Sequence, residues 1–462
     1  MDARLLPWRS SPLEVLRRWP AHLPLAALLS APRDPEARWS IFGLGARWAT
    51  ELPAFEPLPR HPDAPPAPPA DAAIAEPTFR SGWIGVLSYE LGAAFEPASL
   101  RERRRLPGVP LVAGWRCDGA LVHDAISGRW WLTGGCGEPE LLPPDAPMEP
   151  CRLGRISPES TPQEYRRAVS RCVELIHAGD LFQANVAQRF TATVEGSLRT
   201  LAVAALEAAQ PRYGAVVELP DGGAVVSMSP ELFLEVDPRS RRVRSRPIKG
   251  TLPAGRPVEE LLRSGKDAAE LHMIVDLVRN DLGRVCRTGS VRVVCPRRME
   301  SHPTVHHGVA EVEGVLRPEV DVTSLLAATF PPGSVTGAPK IRAMQVIESL
   351  EAFPRGPYCG AVGFVDLRGG AALNVAIRTI VVPPAAPGLP RQALYAAGCG
   401  IVADSLPEAE LAESLQKMEV LRLAAARLGR VQGVRRRGAA AAPGAHPRRS
   451  RSAPPPWPGG QG

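Results

Sequence analysis

Apolar residues recur along this chain in two rhythms. In "GKDAAELHMIVDLVRND" (265–281), Leu271, Ile274, Val275 and Val278 stand three and four positions apart, which lines one face of a helix. Apolar runs rich in β-branched residues mark strands at "LFQANVAQRFTATV", "GAVVELP", "GAVVSMSP", "LFLEVD", "CGAVGFVDL", "LNVAIRTIVV" and "QALYAAGCGIVA". "SGWIGVLSYELG" reads as a strand, and "LPLAALLSA" as a buried strand or helix. "ALVHDAISGRWWLTGG" predicts a hairpin turning at Ser127-Gly128. Thr161 and Pro162 open a helix that runs to about Gly179, with Thr161 as N-cap and Pro162 at its first position. Further helices are predicted over about 257–281, 322–329, 338–351 and 407–427. The last begins at Ser405 and Glu408, a Ser-x-x-Glu capping box. Strands and helices interleave without a strict βαβ rhythm, so the expected class is mixed α/β (α+β).

Composition narrows the setting. Hydrophobic content of 44% with 22% charged residues suits a globular protein with a sizeable core. "EPLPRHPDAPPAPPADAAIAEP" (56–77) predicts an exposed, semi-extended loop. The formal charge of +7 would suggest nucleic acid, but from Arg430 onward there are seven arginines and no acid. The excess therefore lies in a terminal stretch expected to be a disordered tail, and no basic face with motif support is visible, so no nucleic-acid partner is expected. The eight cysteines show no zinc spacing, and no apolar run approaches a membrane span. A cytoplasmic protein is the expectation.

Two acid pairs carry candidate chemistry. Asp267 and Glu270 flank the apolar stripe of their helix. Glu410, Glu413 and Lys417 form a ridge beside a stripe of Leu411, Leu415, Met418 and the stem of Arg422. Singly, each pair reads as a solvated face; their recurrence suggests carboxylate oxygens for Mg²⁺. "FPPGSVTGAPKIRAMQVIESLE" (330–351) is a glycine-punctuated entry to a helix and suits an anion, but it is not a Walker A loop. Arg378, read within one continuous strand, shares a face with Asn374 and Ala376, where it would clamp a carboxylate or simply face solvent.

These segments, in this order, resemble the chorismate-utilising enzymes: anthranilate synthase component I, aminodeoxychorismate synthase component I, and the isochorismate and salicylate synthases. The matching stretches include "GDLFQANVAQRF", "SMSPELFLEV", "RPIKGT", "ELHMIVDLVRNDLGRV", "SVTGAPKIRAMQVIESLE", "RGPYCGAVGFVD", "LNVAIRTI" and "GCGIVADSLPEAELAESLQKM". The resemblance implies two packed β-sheets with peripheral helices around a central cleft. It divides the chain into an N-terminal region (1–150), a chorismate-binding catalytic region (151–428) and a basic tail (429–462). It implies Mg²⁺ held by Glu270, Glu410, Glu413 and Asp267, the last standing where the family usually has Glu. Arg378, Tyr358, Lys417, Thr336, Lys340 and the backbone of Gly398 and Gly400 would grip the substrate. Glu231 matches the acid that protonates the departing 4-hydroxyl, and His307 matches the family's histidine near the leaving group. The catalytic set also takes in Thr251, which with Gly250 would leave room for the substrate beside the Lys249 amine. Pro332 departs from the family's "PGGS".

Two positions sort the members. Gln183 stands where the isochorismate and salicylate synthases carry a lysine base, which argues for amination over hydration, because an amide takes no proton at neutral pH. Lys249, in "PIKGT", stands where anthranilate synthases carry a small residue and resembles the nucleophilic lysine of the aminodeoxychorismate synthases. The implied reaction is amination of chorismate at C4 toward 4-aminobenzoate and folate. Ammonia would come from a separate glutamine amidotransferase, since no glutaminase nucleophile motif is present. The alternatives are an anthranilate synthase, an aminating relative from secondary metabolism and, from another class, a non-catalytic subunit or basic-tailed binding protein.

Overall fold

The computed structural model describes residues 3–32, 34–52, 77–102, 104–301 and 305–440. Its core is two antiparallel sheets, of thirteen and ten strands among the described residues. The first runs through Trp39–Leu44, Ala26–Ser30, Tyr213–Glu218, Ala224–Ser229, Thr379–Val382, Gln392–Ile401 and Gln183–Gly196. The second runs through Ile248–Pro253, Val305–Val315, Arg242–Arg246, Leu232–Val236, Ala371–Val375, Ala361–Asp366, Gly82–Leu87 and Val112–Cys117. Ala26 and Ile41 of the first sheet pack against Ile84, Cys117 and Phe364 of the second. Strands from before residue 150 lie in both sheets: Ala26–Ser30 pairs with Tyr213–Glu218, and Gly82–Leu87 pairs with Ala361–Asp366.

Chain order and local chemistry place the helices. Thr161 caps Pro162–His177 in a full capping box with Glu164, and the hairpin Gly119–Asp124 to Trp130–Gly134 turns through Gly128 at φ +69°. The stretch expected as one helix over 257–281 is two, Val258–Arg263 and Gly265–Gly283, separated by Ser264. Ser264 accepts a hydrogen bond from Asp267 N at 3.2 Å, so the longer helix restarts with its own cap and holds a carboxylate in its first turn. Leu271, Ile274, Val275, Val278 and Leu282 are buried as the stripe requires.

Several expectations change. The helix over 407–427 breaks at Met418 into Pro407–Lys417 and Glu419–Ala440, so helix continues well beyond residue 429, where a disordered tail was expected. Leu415 of the expected stripe is exposed, while Glu410 and Ser414 are buried. The capping box at Ser405 does not form: Leu406 is the N-cap, without a side-chain bond. Helix Leu198–Ala209 and strands Arg242–Arg246, Arg292–Ser301 and Val305–Val315 were not anticipated. Residues 56–76 of the Pro/Ala stretch and 441–462 of the tail lie outside the described residues.

Two of the chain's crossings between the sheets lie side by side. Ala224–Ser229 leads through Pro230 and Glu231 into Leu232–Val236, and Ala371–Val375 leads through 376–378 into Thr379–Val382. Arg378 is therefore not inside a continuous strand; it occupies the second crossing at φ +51°, so alternation from Asn374 does not set its direction. Hydrogen bonds join the crossings, from Ser229 Oγ to Val375 O (2.6 Å), Val375 N to Glu231 O (3.0 Å) and Met228 N to Arg378 O (3.1 Å).

Candidate active site

The crossings carry Glu231 and Arg378, whose charge acts on Glu231, and two further strands contribute to the same region. On Ile248–Pro253, Ile248 pairs with Val309 and Thr251 with His307, so three steps on one strand meet two on the other. Gly250 sits in this bulge at φ +84°, a conformation that favours glycine, and a Cβ there would press on Leu261 and Asp267. The bulge re-aims Lys249. From the first sheet come Gln183 and, across the ladder, Gly400 (Asn185 pairs with Gly400).

Gly400 is where they meet. A Cβ placed on it would stand 2.2 Å from Gln183 Nε2 and 3.1 Å from Lys249 Nζ. The lysine and the amide thus close on the same bare backbone. Lys249 acts electrostatically on Glu231, Glu270 and Glu413, which places the acid and two of the expected metal ligands around one amine.

Glu231 is 3% exposed, and its Oε1 has no hydrogen-bond partner. Burial pushes its pKa up to about 7, only partly offset by Ser334, Lys249 and Arg378. It can therefore hold a proton near neutrality and release it, as a general acid requires. Gln183 is also buried, and its Oε1 likewise has no partner. Thr251 Oγ1 lies 3.0 Å from Nδ1 of the buried His307, joining the residue expected beside the Lys249 amine to the one expected near the leaving group.

The carboxylates converge from two helices. Among the described residues, donor atoms of Cys399, Glu410 and Glu413 come within 4.8 Å of one another. Glu270 feels both Asp267 and Glu410; burial first, then these like charges, raise its pKa against Lys249 and Lys266. In Glu413 burial is outweighed by Lys417, Lys249 and Lys266, and its pKa falls. Lys266 Nζ lies 3.7 Å from Glu410 Oε1, and Lys417 Nζ 2.8 Å from Glu413 Oε1. Carboxylates balanced by lysines suit a hard divalent ion and an anionic substrate; the Cys399 thiol is spent donating to Glu410 O at 3.4 Å.

Other expected residues lie further out or are already engaged. Lys417 donates to Gly398 O at 2.8 Å, so it braces the glycine strand as well as Glu413. The Thr336 hydroxyl donates within its own loop, to Pro332 O and Gly333 O, both at 3.2 Å. Lys340 is buried in an ion pair, donating to Asp281 Oδ2 at 2.6 Å and Thr329 O at 2.7 Å; its ammonium ties two helices rather than opening toward an anion. Tyr358 is buried with its ring 5.7 Å from the Arg355 guanidinium.

Arg355 belongs to a support the sequence reading missed. It pairs with Glu351 at 2.6 Å and donates to Asn185 O and Val335 O, while Glu351 accepts from Ala187 N at 2.9 Å. This fully buried pair braces the Gln183 strand against the loop that begins at Pro332. Ser334, Lys266 and Asp281 were missed as well; only Lys266, next to Asp267, offered any signal.

The chain is 35% identical over 384 residues to aminodeoxychorismate synthase component 1 of Salmonella typhimurium, covering 79% of each chain. It is 34% identical over 450 residues to anthranilate synthase component 1 of Thermus thermophilus, covering 86% of this chain and 91% of that one. The crystal structure of anthranilate synthase component I from Streptococcus pneumoniae superimposes with a TM-score of 0.68 at 25% identity, over 90% of this chain and 98% of that one. The family model described as chorismate binding enzyme matches residues 38–422, and this chain belongs to that family.

Proposed function

We propose that this enzyme aminates chorismate at C4, giving 4-amino-4-deoxychorismate, with ammonia delivered by a separate glutamine amidotransferase. The observation that carries the reading is the meeting of Lys249 and Gln183 over Gly400, with the charge of Lys249 also felt by Glu231. A lysine replaces the small residue of the anthranilate synthases, and an amide replaces the base that would activate water.

The residues divide the work. Glu231 gives its proton to the 4-hydroxyl, which leaves as water while the Lys249 amine, as its free base, bonds to C2 and the ring double bonds shift. Ammonia then bonds to C4, the double bonds shift back, and the C2–N bond breaks to return Lys249. Gln183 offers its unpartnered carbonyl oxygen to an N–H of the incoming ammonia. Arg378 and the Lys417-braced glycines hold the substrate carboxylates. Glu270, Glu410, Glu413 and Asp267 would hold Mg²⁺, which when bound neutralises carboxylate charge and orients the substrate. No described helix is long and apolar enough to cross a membrane; the reading places the enzyme in the cytoplasm, with no nucleic-acid role.

The test is product identity. Purified protein with chorismate, Mg²⁺ and ammonium should yield 4-amino-4-deoxychorismate; anthranilate as the product would overturn the reading in favour of its nearest alternative. The long match to a Thermus anthranilate synthase makes that alternative the one to exclude.

A further inference from the structure

Ser405 stands three residues before Glu408, where a serine ordinarily caps a helix, yet it caps nothing. Its hydroxyl accepts from Val402 N at 3.1 Å and donates to Glu410 Oε1 at 2.7 Å, and both side chains are buried. With the oxygen already accepting from a backbone N–H, the hydroxyl proton is directed at the carboxylate. A side-chain N-cap stabilises a helix, and this helix forgoes it. Lys266 Nζ lies 3.7 Å from the same oxygen, so both the hydroxyl and an ammonium act on Oε1. The neighbouring turn is polar within as well: Ser414 is fully buried and accepts from Gln188 Nε2 at 2.6 Å. The two buried side chains of Pro407–Lys417, Glu410 and Ser414, are therefore held by hydrogen bonds.

We propose that Ser405 is a positioning residue for the cation site: it fixes the rotamer of Glu410 and so sets the affinity for the divalent ion. The inference rests on the metal role given to Glu410 above. Partners of ligating carboxylates are typically worth ten- to a hundredfold in metal affinity.

The test is Mn²⁺ titration followed by electron paramagnetic resonance, on the full chain with chorismate and without ammonium. Ser405→Ala should weaken Mn²⁺ binding about ten- to a hundredfold, and Ser405→Thr, which keeps the hydroxyl, should bind within about threefold of wild type. A serine that only stabilised its helix would lower the melting temperature in Ser405→Ala and leave Mn²⁺ affinity unchanged, and that result overturns the proposal. Glu410→Gln separates the two levels. If it binds Mn²⁺ as wild type does, or if wild type binds none, the metal role itself falls and this inference with it. If Glu410→Gln loses binding and Ser405→Ala does not, only the Ser405 inference falls.

Discussion

Gly400→Ala is the sharpest perturbation the geometry offers. The added methyl would stand 2.2 Å from Gln183 Nε2 and 3.1 Å from Lys249 Nζ, where ordinary contact begins near 3.4 Å. The amide must therefore retreat by more than an ångström, and Gln183 is 1% exposed, so it cannot swing into solvent. Overpacking of this kind costs about 1–3 kcal/mol of stability, and a 1 Å misplacement of a reacting group can cost about a hundredfold in rate. The expected outcome is a fall in kcat/KM of roughly two orders of magnitude in the ammonium-dependent assay, with only a few degrees lost in melting temperature. Gly398→Ala is the contrast. There a Cβ would meet Val186 O at 2.5 Å and Ala187 Cα at 2.8 Å, both backbone, so the fold should suffer first. Adding Gln183→Ala to Gly400→Ala removes the obstruction and should restore the melting temperature without restoring turnover. Gly400→Ala retaining turnover within threefold of wild type would refute the convergence of Lys249 and Gln183.

Four other outcomes follow from buried charge. Glu231 has a folded pKa of about 7, above its unfolded value near 4.5, so keeping it buried becomes progressively costlier as pH rises between those values. Glu231→Gln should therefore be more stable than wild type at pH 8, by up to about 3 kcal/mol, with the difference vanishing below about pH 4.5; equal denaturation midpoints at pH 8 would contradict the raised pKa. The same titration predicts that wild-type kcat/KM falls as pH rises through about 7, as the acid loses its proton. Arg355→Met strands Glu351 in the interior and should destabilise by about 3–5 kcal/mol, read as an early urea midpoint. Lys340→Met should do likewise through Asp281, and Asp281→Leu combined with it should recover much of the loss. A raised KM for chorismate in Lys340→Met, without the stability loss, would instead return Lys340 to the substrate.

Much of the fold was legible because single elements obey local rules. The 265–281 stripe, the Thr161 cap and the Ser127-Gly128 hairpin depend on neighbours within a few residues. What was lost depended on distant partners. Strands around Arg246 and Arg298 look too charged for a sheet, yet Arg246 is buried against Glu36, Glu300 and Glu311, drawn from three separate segments. Arg378 was misphased because alternation assumes one strand, while the chain there changes sheets. Leu415 and Glu410 exchanged expected roles because Ser405 satisfies the buried carboxylate, which no helical period can report. The site residues were found by their motifs, but their assembly required long-range pairing: the two crossings carry Glu231 and Arg378, and the Gly250 bulge and the Asn185–Gly400 ladder bring Lys249 and Gln183 to Gly400.

The proposed chemistry turns on a bond between Lys249 and the substrate during turnover. Intact-mass measurement of the protein with chorismate and Mg²⁺, and without ammonia, tests it directly. An adduct of chorismate less one water is expected, mapped to Lys249 and missing from Lys249→Ala. Turnover with ammonium at an undiminished rate by Lys249→Ala, with no adduct on wild type, would contradict it.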